Sequence, residues 1–232
     1  MRGSRSGPNL IRLARVAKKL APLLDRLVFV GGSVTALLLS DPAATPVRPT
    51  LDVDAIIEIV SYRDFTLVEN HLTKLGFHRN QVELICRWFT DDLIFDLIPT
   101  DPSILGFSNR WYQPGLENAQ TTRTEGIEIR HITAAYFIAT KLEAFHSRGK
   151  DDFRMSHDLE DIITVIDGRP ELVEEISRSE PDLKHYLGKE CRNLLGNSQF
   201  RDALPGHLLP DAASQQRISI VLNRIQQIID AS

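Results

Sequence analysis

A chain of 232 residues, 42% apolar and 25% charged, can bury a core as one large domain or two small ones and lacks the bias of a disordered protein. Its net charge of −4 excludes a protein that is basic throughout, and no stretch approaches the roughly 18 apolar residues of a membrane-spanning helix. The opening MRGSRSGPNL has no apolar segment of the secretory kind, so a cytoplasmic protein with no membrane partner is expected.

The first predicted element is an amphipathic helix carrying Leu10, Leu13, Val16, Ala17, Leu20 and Leu24 at helical spacing. Arg2, Arg5, Arg12, Arg15, Lys18, Lys19 and Arg26 make this end locally basic against Asp25 alone, which suits either a nucleic-acid contact or a solvated face behind a vector-derived start. LVFV reads as a short strand, SVTALLLS after Gly31-Gly32 as a helix, and DPAATPVRP as a loop. TLDVDAIIEIV is the next strand and YRDFTLVENHLTKLG a helix stopped by Gly76. Two strands, ELICRWF and LIFDLIP, follow as a hairpin turning at Thr90-Asp91-Asp92, and TTRTEGIEIRHI reads as a second hairpin turning at Glu125-Gly126. SILGFSNRWYQPGLENA between them has no dominant period. From Thr133 the pattern is helical: TAAYFIATKLEAFHSR, SHDLEDIITVID, ELVEEISRS, PDLKHYLGKECRNLL and one long helix from Ala213 to Ile229.

Cys86 and Cys191 form no paired motif and the seven histidines do not cluster, so any metal chemistry has to rest on carboxylates. On a strand the side chains alternate, which puts Asp52 and Asp54 on one face while Leu51, Val53 and Ala55 face the other way. Two adjacent carboxylates repel, and a hard divalent cation, Mg²⁺ or Mn²⁺, is the usual agent that neutralises them. Asp96 is the one charge in LIFDLIP, where an unpaired carboxylate would be costly, and it can complete the set from a neighbouring strand. Three such carboxylates can hold two metal ions roughly 4 Å apart, the arrangement that clamps the attacking and leaving oxygens in nucleotidyl transfer. Gly31, Gly32 and Ser33 lie between a strand and a helix, where backbone can approach a phosphate; there is no P-loop sequence. The competing reading of Asp52 and Asp54 is an edge strand with one aspartate in water.

Together these parts resemble the nucleotidyltransferase superfamily of polymerase-β-like fold. GGSVTALLL, RPTLDVDAI with Arg48, Thr50, Asp52 and Asp54, IATKLEAF with Lys141, and RMSHDLEDI with Asp158 look, in that order, like the four motifs of the AbiEii/MenT type of nucleotidyltransferase toxin. The resemblance spans about Phe29 to Ile162. It implies an α/β (α+β) fold in which a mixed sheet flanked by helices, residues 1–132, is followed by an all-helical domain, 133–232, closing the nucleotide cleft. It further implies that Asp52, Asp54 and Asp96 are catalytic metal ligands, and that Gly32, Ser33, Arg48, Lys141 and Asp158 bind nucleotide. Asp161 competes with Asp158 for its motif position, and Lys141 can also be read as a lysine whose stem packs while its charge reaches water. RGKDD, with Arg148 and Lys150, is either a phosphate-contacting or a solvated loop. His157-Asp158 lacks the further ligands of an HD phosphohydrolase. The expected partners are a nucleoside triphosphate, an RNA acceptor such as the 3′ end of tRNA, and an antitoxin protein. The alternatives are a small acceptor such as an aminoglycoside, or a catalytically idle relative that binds nucleotide or a partner.

Overall fold

The computed structural model describes residues 7–59, 61–80, 83–148 and 152–232, so Arg2, Arg5 and Lys150 lie outside the described residues. The chain forms two compact units: one is the chain up to Ala36 together with Arg48–Thr133, and the other is Leu37–Val47 with Ala134–Ser232.

The first unit is built on a mixed six-stranded sheet. Its strands are β1 (Leu27–Val30), β2 (Asp52–Ile57), β3 (Arg87–Thr90), β4 (Leu93–Pro99), β5 (Gln120–Thr124) and β6 (Ile127–His131), in the spatial order β3-β4-β2-β1-β6-β5. β2 runs parallel to β4 and antiparallel to β1, while β1 and β6 are parallel. Both hairpins turn where the sequence predicts, each with two residues between paired positions. Asp91 takes φ 50, and Glu125 and Gly126 take φ 47 and 81. Positive φ at both central residues of the second loop matches the twist of the flanking strands.

Flanking helices follow from the apolar periodicity. α1 (Pro8–Lys19) buries Leu10, Leu13, Ala14, Val16 and Ala17. α3 (Tyr62–Lys74) begins at Ser61, whose hydroxyl accepts the Asp64 amide, and buries Phe65, Val68 and Leu72. Between them α2 (Thr35–Leu38) follows a single tight turn at Gly32–Val34, shorter than the helix SVTALLLS suggests. Two short helices, α4 (Pro102–Leu105) and α5 (Tyr112–Glu117), occupy the stretch without a dominant period. Phe77, just after α3, packs against Phe95 with the rings tilted and their centroids 5.8 Å apart, so the odd-numbered face of β4 is core. The strand expected over ELICRWF is shorter than its apolar run. Arg87 N–H donates back to Leu84 C=O at 2.9 Å in a turn, leaving Leu84 and Ile85 exposed ahead of β3.

The second unit is helical: α6 (Ala134–Ser147), α7 (His157–Gly168), α8 (Leu172–Ser177), α9 (Pro181–Gly196), α10 (Ser198–Ala203), α11 (Ala212–Gln216) and α12 (Ile218–Ala231). The expected helix Ala213–Ile229 is two, divided at Arg217. Side-chain anchoring outweighs continuity here: Arg217 binds Asp167 at 2.7 Å and Asp41 at 2.6 Å, with Asp167 fully buried. Asp41 belongs to Leu37–Val47, which this unit takes from the first half of the sequence. Gly168 C=O accepts from the amides of Ser40 and Asp41, and a Cβ on Gly168 would fall 2.7 Å from Leu39. The two units divide after Thr133, and the helical one also takes the segment Leu37–Val47. Among the described residues no helix is long and apolar enough to cross a membrane.

Candidate functional site

In the first unit the parallel register aligns Asp54 with Asp96 and Asp52 with Ile94. In-register neighbours share a face. Asp52, Asp54 and Asp96 therefore converge, with one oxygen from each lying within 4.8 Å of the others. Asp96 is buried at 5% exposure, and Asp52 and Asp54 are half-buried.

Two neighbours shape this acidic face. Gly31 ends β1 at φ +69, and a Cβ there would stand 2.0 Å from Asp54 Oδ2. Only glycine lets the backbone turn there while the carboxylate occupies that space. The Gly31→Ala variant should fold poorly or displace Asp54; measured by calorimetric titration, its affinity for Mn²⁺ should fall at least tenfold, and wild-type affinity would show that the contact is incidental. The second neighbour is Thr50, whose Oγ1 donates to Asp52 Oδ1 at 2.7 Å. Thr50 is itself held by α1. Asn9 accepts the Thr50 amide at 3.0 Å and donates to Arg48 C=O at 2.8 Å, and Arg12 donates to Thr50 C=O.

Sequence reasoning missed Arg87. It pairs with Asp96 across the β3–β4 hairpin, and its guanidinium grips both Asp96 oxygens, at 2.9 and 2.8 Å, while reaching Asp52 Oδ2 at 3.1 Å. The bidentate bond to Asp96 pushes the Arg87 pKa further above its ordinary value, with Asp52 adding to the effect against some loss of solvation. Arg87 neutralises at most one of the three carboxylates. The residual charge and the all-oxygen donor set fit a hard divalent cation. Adjacent Cys86 is buried, and burial, reinforced by Asp96, pushes its thiol up to about 11.

The remaining candidates of this unit have other surroundings. Ser33 is fully buried and its Oγ donates to Val30 C=O at 3.3 Å. Gly32 is buried in the same tight turn, and Arg48 donates to Pro49 C=O at 3.2 Å. On α1 the basic residues have local partners: Arg15 meets Asp92 at 2.5 Å and Lys19 meets Asp91 at 2.9 Å, both from the β3–β4 loop.

In the helical unit Lys141, on α6, is buried between two carboxylates of α7. Its Nζ lies 3.0 Å from Asp158 and 2.7 Å from Asp161. Burial would lower the Lys141 pKa, but Asp161 and Asp158 outweigh it and the ammonium titrates above its ordinary range. Burial opposes ionisation of Asp158 as well, yet the Arg148 hydrogen bonds, with Lys141, hold it below the usual carboxylate value. Both acids face Lys141. Spaced by three on a helix they share a face, and the first-turn location of Asp158 near unpaired N–H groups favours its negative charge. The charged head of Lys141 is internal, unlike the alternative of a lysine reaching water.

No protein-family model matches the chain, and no curated protein matches it. Among solved structures it is similar to an antigenic nucleotidyltransferase-like protein from Paracoccidioides brasiliensis, with 20% identity over 84% of this chain and 92% of that one, at a TM-score of 0.47. It is also similar to JHP933 from Helicobacter pylori, with 14% identity over 98% and 94% of the two chains and a TM-score of 0.49. Likenesses of this degree assign no activity to the chain.

Proposed function

We propose that the chain is a metal-dependent nucleotidyltransferase of the polymerase-β-like superfamily, of the AbiEii/MenT type, that moves a nucleoside monophosphate from a triphosphate to an acceptor hydroxyl with release of pyrophosphate. The supporting observation is the convergence of Asp52, Asp54 and Asp96 from two parallel strands beside the close backbone approach of Gly31. Mg²⁺ or Mn²⁺ held by these carboxylates would supply charge stabilisation to the α-phosphate and leaving group. Asp52 is oriented by Thr50 and Asp54 by the Gly31 turn, so the ligands are set by packing before substrate arrives. Asp96 accepts the proton of the attacking hydroxyl. Gly32 and Ser33 are assigned to the triphosphate through their backbone, since the Ser33 hydroxyl already serves Val30. Arg48, Lys141 and Asp158 are assigned to nucleotide binding because the motif resemblance implies it.

RNA is the proposed acceptor and an antitoxin the proposed protein partner, as the motif resemblance implies; the protein is assigned to the cytoplasm. The test is incubation with each labelled triphosphate, Mg²⁺ and total cellular RNA, resolved on a gel. Label in RNA is the expected result, whereas pyrophosphate release only with an aminoglycoside would favour the small acceptor.

The basic face of α1 gives a second arm to this test. Arg12 serves Thr50 and must be left intact, because its loss would disturb Asp52. Glutamine at Arg15, Lys18 and Lys19 sacrifices only solvent-exposed ion pairs, which contribute little to stability. If this face contacts a phosphate backbone, each lost contact should flatten the logarithmic salt dependence of RNA binding by about one unit. Equal slopes for the wild type and the triple variant would remove α1 from the RNA site.

A further inference from the structure

Arg87 bonds the same oxygens that the proposed metal needs. It occupies both oxygens of Asp96 and one of Asp52, so neither residue can turn fully toward a cation while the fork is in place. A guanidinium and a divalent cation beside one carboxylate also repel each other, and partial burial strengthens the repulsion. A third acid stands on the other side of Arg87. Glu83 Oε2 lies 3.7 Å from the Arg87 guanidinium in the turn that precedes β3, and Glu83 is more exposed than either triad partner. The arginine thus lies between an internal pair of carboxylates and a more exposed one.

We propose that Arg87 is the resident countercation of the acidic site, and that metal binds by exchange with it, Arg87 passing to Glu83. This rests on the metal-dependent reading above and adds a residue that governs metal affinity. In the metal-free protein Arg87 offsets the mutual repulsion of Asp52 and Asp96 and keeps them oriented. On metal binding its release turns the Asp96 and Asp52 oxygens over to the cation. Arg87 is therefore a positioning residue that acts through Asp96 and Asp52.

Two readouts moving in opposite directions test the exchange: Mn²⁺ affinity of the full chain, from the electron paramagnetic resonance signal of free Mn²⁺, and thermal unfolding in EDTA. Arg87→Gln should lower the metal-free melting temperature yet tighten Mn²⁺ binding by about tenfold or more, because a nearby unit charge that opposed the ion is gone. A purely structural arginine would lower stability and leave affinity unchanged or weaker, and that result overturns the proposal. Arg87→Lys keeps the charge but loses the two-pronged grip, so binding should tighten by a few-fold. It decides the matter if the glutamine variant does not fold, and unchanged or weaker binding again overturns it. Glu83→Gln removes the receiving carboxylate and should weaken Mn²⁺ binding severalfold at nearly constant metal-free stability; unchanged affinity overturns the transfer to Glu83. Asp54→Asn separates the two levels of inference. If the wild type and Arg87→Gln bind no more Mn²⁺ than Asp54→Asn, the metal site itself is absent and the exchange falls with it.

Discussion

Asp54→Asn should reduce nucleotidyl transfer by about a thousandfold or more while the metal-free protein melts at the same or a higher temperature. The loss follows from removal of a ligand at the one position packed against the Gly31 turn. The neutral or favourable effect on stability follows from relief of repulsion among three carboxylates whose oxygens lie within 4.8 Å of one another. Asp96→Asn should abolish transfer equally but melt lower, because it removes the carboxylate that holds Arg87 through two bonds. A partly buried guanidinium left with Asp52 and the weaker contact to Glu83 should cost about 1–3 kcal/mol. Asp52→Asn should lie between the two, since Asp52 gives Arg87 a single longer bond. The measurements are pyrophosphate release under saturating Mg²⁺ and calorimetry in EDTA. Near-normal activity in any of the three would remove that residue from the metal site, and equal melting temperatures for Asp54→Asn and Asp96→Asn would contradict the charge balance given to Arg87.

The acidic face was legible because strand geometry leaves few choices. Asp-x-Asp in a β run puts both side chains on one face, and a lone aspartate in LIFDLIP needs a partner. That β2 and β4 are neighbours rather than separated strands is tertiary information that no local pattern holds. Arg87 was within reach of sequence reasoning: a two-residue turn at Asp91-Asp92 pairs Thr90 with Leu93 and, three steps down, Arg87 with Asp96. The signal was hidden because LICRWF reads as one apolar strand, whereas its first residues form a turn and only the last belong to the sheet. The inclusion of Leu37–Val47 in the helical unit was not legible, since the contacts that hold it involve Asp167, Gly168 and Arg217, far away in the chain. The break at Arg217 has the same origin: the local sequence continues the helical period, and two distant aspartates decide otherwise.

Lys141→Ala should destabilise the helical unit by about 3–5 kcal/mol, because Asp161 and Asp158 remain buried after their shared cation is removed. The wild-type cluster should be insensitive to pH over a wide range. Lys141 titrates above its ordinary 10.5, so its contribution is fully present below that value and fades as pH rises through the raised one. Asp158 titrates below its ordinary 3.8, so its contribution is present above that value and is lost as pH falls through the lowered one. Loss of stability in the alanine variant does not by itself distinguish a nucleotide ligand from an internal ion pair. The double variant Lys141→Met, Asp161→Asn does: it removes one charge of each sign and leaves Asp158 with the two hydrogen bonds of Arg148. Its melting temperature should recover most of the loss. If Lys141 holds the triphosphate, nucleotide affinity, measured by calorimetric titration, should stay depressed at least tenfold in this restored protein, since a methionine provides no charge for a phosphate. If affinity returns together with stability, Lys141 serves only to hold α6 against α7, and the nucleotide contact assigned to it is wrong.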